Sequence, residues 1–89
     1  MEAIADLPML NDIDADYSPQ YVKLARILRG KIEAGQHKLG DTLPASDLAQ
    51  EYGVSVRVAW HALAMLAANR YVQQLSRFAP YTVTWRAAL

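Results

Sequence analysis

The chain has 89 residues and a mass of 9.9 kDa, and 53% of its residues are hydrophobic, which is enough for one small domain with an apolar core. The absence of cysteine and the presence of only two histidines exclude a disulfide framework, a thiolate zinc site and a cysteine nucleophile. The formal net charge is zero, but residues 1–16 contain five acids and no base, whereas residues 17–89 contain nine Lys and Arg against four acids, a charge of +5. This second part can attract a polyanion.

Residues 1–16, called the acidic segment below, combine their five carboxylates with scattered apolar residues that lack steady helical spacing. Two interpretations fit this composition. The segment is either a disordered tail, or it packs on the following domain and covers its basic surface, where it competes with phosphates.

The sequence favours a cytoplasmic protein. A secretory signal begins with basic residues, and the acidic segment has none. The longest apolar run, Ala62–Ala68, has seven residues, whereas a helix that crosses a membrane needs roughly 20. We therefore expect no membrane span.

The first helix is predicted at Pro19–Ala34. Ser18 can cap it by accepting an amide hydrogen bond, and proline at the first helical position loses no hydrogen bond. Gly35 is expected to end the helix. The residues that recur at helical spacing and should be buried are Tyr21, Leu24, Ala25, Leu28 and Ile32.

A short strand and a second helix follow a turn at Gly40-Asp41. Thr42-Leu43 can add a short strand, which Pro44 stops from extending. Ser46 is the expected cap of a helix at Asp47–Tyr52, and Gly53 should terminate that helix.

The third helix is predicted at Val56–Ala68, with Ser55 as its cap. Because it begins only three residues after the second helix ends, the two form a helix-turn-helix. One stripe of this helix should be buried, namely Ala59, Ala62, Leu63 and Leu66. The opposite stripe should face outward, namely Val56, Arg57, Trp60, His61 and Ala64.

A β-hairpin is predicted after the third helix. Asn69 can adopt the left-handed conformation that ends a helix, and Tyr71–Leu75 and Tyr81–Trp85 are rich in strand-forming residues. The order of elements predicts an α+β winged helix-turn-helix: three helices, a hairpin wing and a short strand at Thr42-Leu43. It forms one domain at residues 17–86.

Several motifs in this order are typical of one family. Leu39–Pro44 after the first helix, Leu48–Ser55 across the helix-turn-helix, and Tyr71-Val72 after the third helix resemble the GntR-type winged-helix DNA-binding domain. The resemblance extends over about residues 17–84. It implies a bacterial transcriptional regulator, generally dimeric, whose third helix enters the major groove while the wing approaches the minor groove or the backbone. Family members usually carry a further C-terminal domain, so the resemblance leaves open whether the chain is a stand-alone module or a fragment.

The residues of the third helix and the wing that would face DNA depart from the family pattern. Val56 stands where the family usually has a basic residue, Trp60 occupies the place of an arginine, and Arg70 replaces a glycine before the wing. In the wing, Phe78-Ala79-Pro80 follow Arg77 where the family typically has glycines around a basic tip, and Phe78 either inserts at a groove edge or packs on Tyr81.

The DNA-contacting residues expected from position and chemistry fall into two sets. Those on or beside the outward stripe of helix 3 should discriminate bases and sugars: Ser55, Val56, Arg57, Trp60 and His61. Those expected at phosphates are Arg26, Arg29, Arg70 and Arg77, and Arg57 fits either a guanine edge or a phosphate. Three roles fit Trp60: contact with a sugar or thymine methyl, an anchor for a protein partner, or packing against the wing or the acidic segment.

The function expected from these residues is that of a cytoplasmic repressor that binds double-stranded operator DNA as a homodimer and associates with the nucleoid when bound. The alternative is a winged-helix adaptor that binds another protein through the apolar strip Val56, Trp60 and Ala64. We expect no enzyme, because the chain has no suggestively spaced acid–base pair, phosphate loop or nucleophile elbow. We also expect no cofactor and no metal, since no carboxylate or cysteine pattern completes a site with His37 and His61.

Overall fold

The structure is a computed structural model that describes residues 19–86. The acidic segment, the expected cap Ser18 and residues 87–89 lie outside the described residues. The elements in chain order are helix α1 (Gln20–Glu33), strand β1 (Thr42–Leu43), helix α2 (Ala45–Tyr52), helix α3 (Val56–Ala68), strand β2 (Val72–Gln74) and strand β3 (Tyr81–Val83). This is the predicted winged helix-turn-helix.

Helix α1 buries the predicted stripe. Leu24, Ala25, Leu28 and Ile32 are buried, and Tyr21 is half-buried. The helix ends at Gly35, whose φ of +82° lies in the left-handed region that favours glycine. The amides of Gly35 and Gln36 donate to the carbonyls of Ile32 and Lys31, at 3.1 and 2.9 Å, which closes a Schellman motif.

Helix α2 begins earlier than expected, so the prediction of Ser46 as its cap is wrong. The carbonyl of Pro44 already accepts from the amide of Leu48 at 3.1 Å, and Ser46 therefore lies inside the first turn. No side chain caps this helix start. Gly53, with a φ of +67°, ends the helix as predicted.

Helix α3 has the predicted bounds and the predicted cap. The hydroxyl oxygen of Ser55 accepts from the amide of Val58 at 3.1 Å. All four residues of its predicted inner stripe are buried. The connection to α2 spans only residues 53–55, which confirms the helix-turn-helix.

The left-handed residue after α3 is Arg70 and not Asn69. Asn69 has a φ of −100°, and its side-chain Nδ2 donates to the Met65 carbonyl at 2.9 Å, so it continues the helical turn. Arg70 has a φ of +67°. The amides of Arg70 and Tyr71 then donate to the carbonyls of Ala67 and Leu66, at 3.0 and 2.9 Å, in the same pattern seen at Gly35.

The three strands form one antiparallel sheet in the order β1-β3-β2. Leu43 pairs with Tyr81, and Val72 pairs with Val83, which places the wing strand β3 in the centre. Strands β2 and β3 are shorter than predicted, but the carbonyl of Tyr71 still accepts from the amides of Thr84 and Trp85, at 3.1 and 3.2 Å. Hydrogen bonds at the base of the wing therefore continue past the ends of β2 and β3.

The core lies between the helices and one face of the sheet. Leu28 of α1, Leu63 of α3 and Val83 of β3 are its largest fully buried side chains. At its edge, Tyr71 and Trp85 are half-buried and stack on each other with ring centroids 5.6 Å apart. The core thus fixes α3 from one side and leaves its opposite side open.

Candidate nucleic-acid interface

The outer stripe of α3 is exposed along its whole length. Val56 is 44% exposed and Trp60 is 40% exposed, and Arg57, His61 and Ala64 are exposed as well. The helix phase predicted from the apolar spacing is therefore confirmed. No residue of this stripe belongs to the buried core.

The N-terminal end of α3 combines a cap with a cation. Ser55 is exposed although its hydroxyl oxygen holds the amide of Val58. The remaining free amides of the first turn and the positive end of the helix dipole favour an anion at this place. Arg57 adds a full positive charge in the same turn. This end of the helix is suited to phosphate or to the acceptor edge of a base.

Trp60 is supported by the wing. Its indole ring meets the ring of Tyr81 edge to face, with centroids 5.7 Å apart and planes at 65°. This contact orients the indole while part of it stays exposed. Packing against the wing is one of the three roles expected of Trp60, and the exposed part is open to a partner.

Phe78 is 89% exposed at the turn of the wing, so it does not pack on Tyr81. Trp60 approaches Tyr81 from α3, while Phe78 lies beneath the guanidinium of Arg77, whose Cζ is 5.5 Å from the ring centroid. The wing turn is closed by the amide of Ala79, which donates to the carbonyl of Ser76 at 3.1 Å.

A shallow hollow of about 310 Å³ lies where α2, α3 and the wing meet. Val56 and Trp60 line it from α3, and Phe78 and Pro80 line it from the wing, with Pro44 before α2 on the remaining side. Sequence reasoning did not identify Pro44 as part of this surface, because nothing local shows that the start of α2 lies beside the wing.

His61 connects the outer stripe to the start of α1. Its imidazole meets the ring of Tyr21 edge to face, with centroids 5.4 Å apart. The imidazole remains exposed. It can therefore still donate a hydrogen bond to an approaching partner.

The nine expected DNA-contacting residues divide between the two ends of α3. Arg26 and Arg29 line a hollow of about 400 Å³ with Met65 and Asn69, beside the C-terminal end of α3, and Arg70 directly follows that end. Ser55 caps its N-terminal end, and Val56, Arg57, Trp60 and His61 lie in its N-terminal half. Arg77 lies between β2 and β3, in the wing turn whose Phe78 and Pro80 share a hollow with Val56 and Trp60. At 1.5 Å per residue, Arg57 and Arg70 are about 20 Å apart along the helix direction.

Among residues 19–86, no group of three or more His, Cys, Asp or Glu side chains is placed to hold a metal ion. Within the same residues, no helix has the length and apolar character to cross a membrane.

Several comparisons relate this geometry to known proteins. The family model of "Bacterial regulatory proteins, gntR family" matches residues 20–79. A crystal structure of a protein identified as a GntR-family transcriptional regulator is similar, with 32% sequence identity and a TM-score of 0.67 over 79% of this chain. This chain spans only 28% of the length of that regulator. No curated protein matches the sequence.

More distant structures share the fold. A GntR-family transcriptional regulator from Listeria monocytogenes has 22% identity and a TM-score of 0.66, over 76% of this chain and 60% of its own. The N-terminal domain of AraR, solved in complex with mutant ORR3, has 18% identity and a TM-score of 0.68, over 78% of this chain and 100% of its own. Because the family model covers more than half of the sequence and the fold agrees, the chain belongs to the gntR family of bacterial regulatory proteins, and its domain is a regulatory winged helix-turn-helix, not an enzyme.

Proposed function

We propose that this domain binds double-stranded operator DNA through the N-terminal half of α3 and the wing. The observation that carries the proposal is the exposed outer stripe of α3, which begins at a capped, cationic helix end and lies beside the wing. An α-helix presented in this way fits the major groove. Membership in a family of regulatory proteins supports the same partner.

The charge of the domain supports binding to a polyanion. Residues 19–86 hold all nine Lys and Arg of the chain and only four of its nine acids. Arg57 on α3 and Arg77 on the wing are exposed, and each is next in sequence to a residue that lines the hollow. Contacts of these side chains with phosphates would give an affinity that falls as salt displaces them.

The positions of the side chains suggest their roles. Arg57 donates to a guanine edge or to a phosphate, and Ser55 and His61 donate to phosphate or sugar oxygens beside it. Val56 and Trp60 make apolar contacts with bases, and Arg77 contacts the backbone from the wing. Arg26, Arg29 and Arg70, at the other end of α3, would meet phosphates outside the half-site and contribute less.

At the scale of the whole protein, we extend the proposal to a cytoplasmic repressor. Residues 17–86 form its winged-helix domain, and the acidic segment precedes it. Two copies would bind an inverted repeat whose half-sites are about one helical turn apart, with one α3 in each. Bound there, the domain blocks promoter elements.

The proposal is tested by fluorescence anisotropy with sheared genomic duplex across a salt series, and with two alanine variants. Arg57→Ala should raise Kd by roughly 5- to 100-fold, which corresponds to about 1–3 kcal/mol. Lys23→Ala removes the same charge from α1 and should raise Kd by less than about threefold. Equal losses, or binding that does not depend on salt, would contradict insertion of α3 into DNA.

A second function has a specific observation in its favour. Val56 and Trp60 leave an apolar surface exposed beside the hollow, as expected of an adaptor that binds another protein through Val56, Trp60 and Ala64. Its signature would be the absence of salt-dependent DNA binding in the same titration.

A further inference from the structure

The surface that faces DNA in the proposed function is apolar at its centre. Val56 and Trp60 are one helical turn apart on α3, and both line the hollow of about 310 Å³. The wing adds Phe78 and Pro80 to its wall. None of the described residues that line this hollow is charged. Apart from Ser46 its side chains are apolar, so an apolar group of a partner would be stabilised by contact there.

The wall that α3 contributes to the hollow is held in position before any partner binds. Val56 lies in the first turn of a helix whose start is fixed by the Ser55 cap. The indole of Trp60 is held by the ring of Tyr81 at 5.7 Å. Little side-chain freedom remains to be lost on binding, so even a small apolar group can contribute to affinity.

Two exposed arginines adjoin residues that line the hollow. Arg57 follows Val56 directly, and the guanidinium of Arg77 lies over the ring of Phe78. The surface thus fits a partner that carries an apolar group between anionic groups. In the major groove, the C5-methyl group of thymine is the apolar group that a base pair presents, and phosphates lie on both sides of it.

We infer that Val56 and Trp60 read thymine methyl groups, so that the preferred half-sites carry thymine where these two side chains meet the groove. This inference rests on the proposed function and specifies its substrate. A cytosine at the same position would leave the hollow without its methyl group. Arg57, which follows Val56 in the chain, would contact the neighbouring base pair or its phosphate.

The test removes single methyl groups from DNA. A duplex recovered from a random pool by selection for binding to the full chain is resynthesised with one thymine at a time replaced by deoxyuridine, which changes no hydrogen-bonding group of the base. Each contacted methyl should contribute about fourfold to Kd, from about 0.8 kcal/mol per buried methyl-sized group. Replacement by 5-bromodeoxyuridine, which again fills the C5 position with an apolar substituent, should restore binding.

Protein variants locate the contact. Val56→Ala, which favours the helix, should lose the sensitivity to deoxyuridine at one position of each half-site, whereas Val56→Ile should keep it. Ile27→Ala is the matched control, because Ile27 is 47% exposed on α1 and does not line the hollow. This control should retain the full fourfold effect.

The titrations distinguish failure of the thymine contact from failure of DNA binding itself. Salt-dependent binding in which no deoxyuridine changes Kd by more than about 1.5-fold overturns the inference and leaves the proposed function intact. Methyl effects that persist unchanged in Val56→Ala and in Trp60→Ala, with both variants folded by circular dichroism, overturn it as well. Absence of salt-dependent binding to every duplex overturns the proposed function itself and points to a protein partner.

Discussion

Among single residues, Arg70 has an unfavourable backbone conformation. Its φ of +67° lies where an L-residue is less stable than glycine, by about 1–2 kcal/mol. The same hydrogen-bonding pattern ends α1, where Gly35 takes the left-handed position. The positive φ at position 70 therefore explains why the family usually has a glycine before the first strand of the wing.

We expect Arg70→Gly to raise the free energy of unfolding by about 0.5–1 kcal/mol, since relief of the left-handed strain exceeds the added freedom of glycine in the unfolded chain. Arg70→Val should lower it by about 1 kcal/mol or more, because a branched side chain tolerates positive φ poorly. Urea unfolding measures both. The two variants remove the same charge, so a shift of equal sign in both would show that charge and not conformation is responsible.

At the scale of elements, two side-chain ties connect α1 to its neighbours. The hydroxyl of Tyr71, just before β2, donates to Oε2 of Glu33 at 2.6 Å. Nζ of Lys31 donates to the hydroxyl oxygen of Tyr52 at 2.6 Å and lies 3.8 Å from Oε2 of Glu51. The first contact joins α1 to the base of the wing, and the contacts of Lys31 join α1 to α2.

The tie at Tyr71 predicts a dependence of stability on alkaline pH. The hydrogen bond to Glu33, followed by burial, raises the pKa of Tyr71 above its ordinary value of 10.0. A pKa that is higher in the folded state means that the folded protein keeps its proton while the unfolded chain loses it. The stabilisation is therefore complete below pH 10 and is lost as the pH rises through the folded-state pKa.

Thermal unfolding between pH 9 and pH 11.5 measures this effect. Tyr71→Phe keeps the aromatic stack on Trp85 but has no titrating hydroxyl, so its Tm should fall less steeply over this range than that of the wild type. A smaller decline should remain, because the hydrogen bond to Tyr52 also raises the pKa of Lys31. Identical slopes in the two proteins would show that the hydrogen bond to Glu33 does not persist in solution.

At the scale of the whole molecule, the charge is divided along the chain and not balanced locally. The acidic segment carries five acids, and residues 19–86 carry an excess of five positive charges. A domain with that excess attracts DNA of any sequence, and carboxylates on the same chain weaken this attraction at low ionic strength.

Replacing the five carboxylates of the acidic segment by amides in the full chain changes the net charge from zero to +5. We expect this variant to bind nonspecific duplex roughly tenfold more tightly at 0.01 M salt, where the Debye length is about 30 Å. At 0.15 M, where the Debye length is about 8 Å, the gain should shrink. Anisotropy titrations at both salt concentrations test this, and a gain independent of salt would exclude a purely electrostatic cause.

Local signals in the sequence were sufficient for most of the fold. The cap Ser55, the apolar period of α3 and the glycines after α1 and α2 act within a few residues, so their consequences were predicted correctly. Ser46 and Asn69 were misassigned because each competes with a neighbour. The first hydrogen bond of α2 is accepted by the carbonyl of Pro44, so the helix begins before Ser46 could cap it. Asn69 keeps a negative φ at the end of α3, and the following residue, Arg70, adopts the left-handed conformation.

The three helices, the hairpin and the outward stripe of α3 could be predicted from local patterns, because apolar spacing and helix-end signals depend on contacts between residues close in the chain. Three features emerge only once the chain is folded. Trp60, and not Phe78, packs on Tyr81; Pro44 and the wing form one hollow with Val56; and the candidate arginines lie near opposite ends of α3. These outcomes depend on how the β1-β3-β2 sheet closes against α3, and residues far apart in the chain meet there in a geometry that no local pattern encodes.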